Sequence, residues 1–196
     1  MHLAFDIFQG LGIAAAVGIR PFLPALVVGG LAAGDIQIDF AHTDFSFLQS
    51  AGFLFAMVVG AVALALVERT LRGQPRFRQP ALAVTLVLAL AIGAFEFAGA
   101  LAQNHYTIWA GVAGGILCAA LGTAATRPLL ERVRRRLDSH SAGVLPVFVE
   151  GAALLVALLS AVAPPVGPLV VLALIWLLAA GRRRQGQKYA GLRILR

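Results

Sequence analysis

Four charged side chains interrupt the apolar stretches of this chain, and they are the residues best placed to do chemistry. Glu150 stands in Val147-Phe148-Val149-Glu150-Gly151, and Glu96 in Gly93-Ala94-Phe95-Glu96-Phe97. Arg20 and Arg127 each precede a proline, as Arg20-Pro21 and Arg127-Pro128. A carboxylate inside an apolar span costs a few kcal/mol on insertion scales, and it persists by pairing, by protonation or by facing water. Glu150 follows Pro146 by one helical turn and has two readings. One is a proton- or cation-binding group on a transport path; the other is a buried ion pair with Arg127 or another arginine. Glu96 reads first as structural or interfacial, with ion binding as the alternative. Arg20 and Arg127 are candidate anion-facing or gating groups. Glu68, beside Arg69 at the end of another apolar stretch, reads as solvated.

Other chemistry is sparse. Asp35, Asp39, His42 and Asp44, with His105 further on, follow no metal-ligand spacing and read as a solvated acidic loop. There is no phosphate-binding glycine loop, no metalloprotease helix and no nucleophile triad, so neither a cofactor, a metal nor an enzymatic activity is expected. Cys118 is the single cysteine and cannot form an internal disulfide.

The elements that must position these residues are membrane spans. The 196 residues are 60% hydrophobic and 13% charged, with mean hydropathy +0.87. A soluble domain is roughly 45–50% apolar and about 25% charged. Windows 47–67, 81–102, 108–126, 144–163 and 169–180 are nearly free of charge, and a span needs about 20 such residues. The stretch 3–33 is too long for one plain span and is broken at Gly18-Ile19-Arg20-Pro21-Phe22-Leu23-Pro24. Residues 1–9 carry no Lys or Arg, unlike the basic start of a cleavable signal, and read as part of a retained first span.

Basic residues cluster in three places: Arg69 to Arg78, Arg127 to Arg136, and the tail from Arg182 to Arg196. Segment 33–46 instead carries Asp35, Asp39 and Asp44 with no Lys or Arg. Lysine and arginine are retained on the cytoplasmic side. Six spans with both termini inside satisfy every connection. The excess charge of +7 flanks spans, which argues against nucleic acid as its partner. Leu129, Leu130, Val133 and Leu137 share one face of the basic segment Arg127 to Arg136, so that segment and the C-terminal tail are candidates for contact with anionic lipids of the bilayer. Simple retention of positive charge inside explains the same residues.

A duplication adds direction. Ser50-Ala51-Gly52 onward and Ser141-Ala142-Gly143 onward are identical at eight of fifteen paired positions, and each follows an Arg-Pro helix end. Three spans per half predict an all-α, six-span membrane fold arranged as a 3+3 inverted repeat. Repeat 1 covers about 3–102, repeat 2 about 107–181, and 182–196 form a basic cytoplasmic tail. Arg20 is then expected near the outer interface. The segment 22–33 is expected to be re-entrant or interfacial, the competing form being one long kinked first helix. Gly10 and Gly18 in the first span, and Gly111 and Gly115 in the fourth, form small-residue stripes that let helices approach closely.

The motif Gly18 to Pro24, together with Ala125-Thr126-Arg127, the basic helix and Glu150, resembles a family of small bacterial integral membrane proteins known only as a domain of unknown function. The chain departs from that pattern after Glu68, where Arg69-Thr70-Leu71-Arg72 replaces an acidic-basic-proline turn. The resemblance supplies a fold and no activity. The function expected from the residues is a small secondary transporter or channel-like permease with an intramembrane carboxylate at the repeat interface. An accessory subunit of a larger membrane complex and a lipid-handling protein are the alternatives, and the partners to expect besides lipid are a second copy of the chain or a membrane complex.

Overall fold

The computed structural model describes the backbone of residues 2–70, 75–104, 106–134, 136–137 and 139–190. The side chains of residues 2, 75–78, 139–142 and 182–190 lie outside the described residues, as do His105 and the C-terminal tail 191–196, and with them the expectations placed there. The described residues form seven α-helices, and four of these contain apolar windows long enough to cross a membrane.

The stretch 3–33 becomes a hairpin of two short helices, α1 (His2–Ile19) and α2 (Phe22–Ala33). Pro21 explains the break. It occupies the cap position of α2 at φ −74° and ψ −38°, a place where its missing amide hydrogen leaves no helical bond unmade. Arg20 closes α1 through its amide, which donates to the Ala16 carbonyl at 3.0 Å. Twelve residues of α2 rise only about 18 Å, so α2 returns part of the way across a bilayer. After Gly34, Asp35 and Gln37 take left-handed φ values of 53° and 64°. The loop then tucks Phe40 and Phe45 inward before a 3-10 turn, Ser46–Gln49, which buries Leu48.

The long helices follow: α3 (Ala51–Thr70), α4 (Pro75–Ala102), α5 (Ile108–Arg134), α6 (Ser139–Val162) and α7 (Val166–Ala190). Only 6% of the apolar window of α3 is buried, against 39% in each of α4 and α5. Phe55, Val59, Val62 and Leu66 are exposed along α3, as a helix lying against lipid requires.

Helix directions are fixed by contacts along α1. Asn104 Nδ2 donates to Asp6 Oδ2 at 2.7 Å, and Gln9 Nε2 donates to the Ala161 carbonyl at 2.8 Å. A Cβ on Gly167 would collide with the Phe8 backbone. The start of α1 therefore sits with the end of α4, the end of α6 and the start of α7. At the opposite end, a Cβ on Gly181 of α7 would lie 3.2 Å from Arg132 Nη2 of α5. The start of α1 and the far part of α7 thus lie at opposite ends of the bundle, and the expectation of both termini on one side does not hold. The reason is α2, which adds a return pass that the six-span count lacks.

The same parity governs the duplication. Gly18 packs on the Ala119 backbone, Gly122 on the Ala15 carbonyl, and Thr123 Oγ1 donates to the Gly18 carbonyl at 2.7 Å. Helices α1 and α5 therefore cross closely, but they run in the same direction, which a two-fold axis in the membrane plane does not produce. Pro21 turns the chain back, whereas Pro128 lies inside continuous α5. The Ser-Ala-Gly helices α3 and α6 do run in opposite directions.

Candidate functional site

Glu150 lies midway along α6, twelve residues from Val162. Its partner is Arg20, not Arg127. Arg20 Nε stands 3.5 Å from Glu150 Oε1, while Nη1 and Nη2 reach Glu68 Oε1 and Oε2 at 2.5 and 3.3 Å. One guanidinium is thus shared by two carboxylates from two helices. The side chains of Arg20, Glu68 and Glu150 are 11%, 29% and 25% exposed, so the cluster is largely withdrawn from solvent.

The helical hairpin creates this geometry. Arg20 and Pro21 are the two residues left between α1 and α2, so Arg20 projects from a bend rather than from a regular helix face. Glu68 approaches from the last turn of α3. Its neighbour Arg69 is exposed, since adjacent residues on a helix point about 100° apart. The solvated position expected for Glu68 is therefore corrected: proximity to Arg69 in sequence says nothing of which face Glu68 occupies. Arg20, expected near the outer interface, sits level with the last turn of α3, at the end of the bundle that bears the basic links. An arginine does face Glu150, but it is Arg20 rather than the named candidate Arg127, and Glu68 has an arginine rather than solvent as its partner. A bidentate fork that fits a carboxylate is the signal that would have paired Arg20 with a second acid.

Charge counting defines what the cluster can do. Two carboxylates and one guanidinium leave one negative charge without a counter-ion among the described residues. Glu150 Oε2 is buried and accepts no hydrogen bond, and Arg20 Nε donates none. Buried polar atoms are rarely left this way. A proton on one carboxylate cancels the surplus charge.

The remaining predicted residues separate from this cluster. Arg127 Nη2 donates to the Leu82 carbonyl at 3.0 Å, joining α5 to α4. Glu96 is fully buried on α4, and neither of its oxygens has a hydrogen-bond partner. Gly115 meets the Gly93 and Ala94 backbone, Gly111 the Ala98 backbone, and Gly10 the Phe97 ring. These positions are contacts of bare backbone with a neighbour, and an added Cβ would lie 2.7 Å from Ala94 Cα at Gly115. Asp35, Asp39, His42 and Asp44 are exposed, and no group of three metal-ligating side chains occurs among the described residues.

A family model described as a domain of unknown function, DUF4126, matches residues 7–184. The match takes in the Arg20-Pro21 motif, Glu68, Glu96, Arg127 and Glu150, in keeping with the resemblance carried by residues 18–24. No curated protein and no solved structure matches the chain.

Proposed function

From the premise that the chain belongs to the DUF4126 family, whose description carries no activity, we propose that it is a small proton-coupled permease. The Arg20–Glu68–Glu150 cluster is its proton-binding site. The observation that carries this reading is the shared guanidinium: a second carboxylate in a largely dry site has only half of the counter-charge it needs. Ionisable groups at membrane depth that pair with one another commonly mark ion or proton pathways. Arg20 holds the site together and sets its charge. Glu68 is the fixed partner, and Glu150, with its weaker contact and free oxygen, is the carboxylate that gains and loses the proton.

Retention of positive charge places the α3–α4 link, the α5–α6 link and the C-terminal tail in the cytoplasm of a bacterial inner membrane. The start of α1 then faces the opposite side. The inverted part of the duplication is α3–α4 against α6–α7, and the shared Arg20 lies between α3 and α6. That position agrees with transporters whose sites form where inverted halves meet, at broken helices. Anionic lipids of the inner leaflet meet the basic end of α5, where Arg134 and Arg136 are exposed.

A second reading draws on the exposed apolar face of α3: an accessory subunit would present such a face to a partner helix. Purification in mild detergent followed by reconstitution separates the two. Proton movement across vesicles that contain this protein alone supports the permease. A stoichiometric partner, with no proton movement in its absence, supports the accessory role.

A further inference from the structure

Glu96 stands apart from the cluster and is harder to explain as a structural residue. It is 0% exposed, and both carboxylate oxygens lack a hydrogen-bond partner. A structural carboxylate in a protein interior is paired with a cation or with donors, and an ionised one left alone is very unfavourable. Its surroundings follow from its register on α4. Ile92, one turn before it, packs with Val17, Ala25 and Met57. Gly99, three residues after it, meets Phe40 and Leu48. That face of α4 is turned towards α1, α2 and the inward-tucked loop, largely apolar at this level; buried polar side chains near it include Gln9, which donates to the Ala161 carbonyl, and Ser160 beside Gly12. The other face meets α5 at Gly111 and Gly115. The titratable group that α5 brings nearby is Cys118, buried in the cluster around Phe97. Along α1, Asp6 and Arg20 are the charged residues, above and below.

The level of Glu96 is also fixed. Gly10 meets Phe97, and Ala14 lies by Gly93, so Glu96 is opposite residues 10–14 of α1. Asp6, 8% exposed and bonded to Asn104, lies towards the end of the bundle that carries the acidic loop. Arg20 lies the other way, about nine residues or roughly 13 Å along α1. Asp6, Glu96 and the Arg20 cluster are thus three ionisable stations in order along one helix. A metal ion does not suit the middle one. Hard cations take several oxygen ligands, and no group of three ligating side chains exists among the described residues.

We infer that Glu96 is a second proton-binding site, an intermediate station between Asp6 and the Arg20–Glu68–Glu150 cluster. As a relay this rests on the permease reading; as a proton site it does not. At Glu96 the O–H bond forms on one carboxylate oxygen as a proton arrives, and the same bond breaks as it leaves towards the cluster. No electrons change hands. The relay requires transient water to carry the proton over the distance that separates the stations.

Infrared difference spectra of the full-length protein in lipid nanodiscs, taken between acidic and alkaline buffers, test proton binding. A carboxylic-acid carbonyl band that is absent from Glu96→Gln, and that returns displaced in Glu96→Asp, is expected. Identical carboxyl bands in wild type and both variants overturn the site. If Glu96→Gln does not fold, displacement of the band in Glu96→Asp decides alone. Proton flux in vesicles tests the relay, with a loss of at least about a hundredfold expected in Glu96→Gln, the order of one general acid–base group. Flux lost in Glu150→Gln but unchanged in Glu96→Gln overturns the relay and spares the permease. No flux in wild type overturns the permease and the relay together, and the infrared band then decides whether Glu96 holds a proton.

Discussion

Arg20, at the bend between α1 and α2, grips Glu68 of α3 through two guanidinium nitrogens, at 2.5 and 3.3 Å, while its third nitrogen faces Glu150 of α6. Three separate parts of the chain converge on one planar cation. Arginine suits this role because its fork stays charged and offers donors in several directions at once.

Replacing that cation is the most damaging change available to the fold. Arg20→Ala leaves two carboxylates facing each other in a largely dry site. Breaking a buried pair in this way costs about 3–5 kcal/mol. Thermal unfolding in detergent should show a large fall for Arg20→Ala and a smaller one for Arg20→Lys, which keeps the charge but loses the fork. Restoration of stability when Glu68→Gln and Glu150→Gln are added to Arg20→Ala would identify unbalanced charge as the cause.

Close helix crossings give a second set of outcomes. Gly115 has no room for a side chain beside Ala94, whereas a Cβ on Gly52 meets nothing within 4 Å. Gly115→Val is expected to destabilise by about 1–3 kcal/mol, as overpacking does. Gly52→Ala should leave the melting temperature unchanged or slightly raised. Equal effects at the two positions would contradict the α4–α5 packing.

Helix direction is open to chemical labelling. In a Cys118→Ser background, Leu3→Cys and Asp39→Cys should react with a membrane-impermeant thiol reagent from one side. Arg69→Cys should react from the other. Leu3, Asp39 and Arg69 are all exposed. Labelling of Leu3→Cys together with Arg69→Cys would contradict the hairpin of α1 and α2.

Much of the architecture was legible in residue order, and the exceptions have local causes. Charge-free windows marked α3 to α6 because hydropathy over a span is a sum that no single contact can override. Pro21 and Pro24 marked a break after Arg20. They did not reveal that the break reverses the chain, since proline fixes a local φ and not the path beyond it. That reversal moved Arg20 from the acidic-loop side to the level of Glu68, and with it the identity of the site. Glu150 was recognisable as an acid in an apolar helix. Glu68 was not, because Arg69 beside it suggested water, and only the angle around α3 separates an inward side chain from an outward one. Arg127 shows the converse: the matching Arg-Pro dipeptide lies in an unbroken helix and bonds a backbone carbonyl.

The permease account stands or falls on Glu150. Its most direct test is proton flux into vesicles containing only the purified protein, measured across a pH series for wild type and Glu150→Gln. The glutamine keeps the shape and removes the surplus negative charge, so the variant should fold as well as wild type. The account predicts pH-dependent flux in wild type and a loss of at least about a hundredfold in the variant, on the scale of one proton-transfer group. Flux of equal size and equal pH dependence in the two proteins would contradict it.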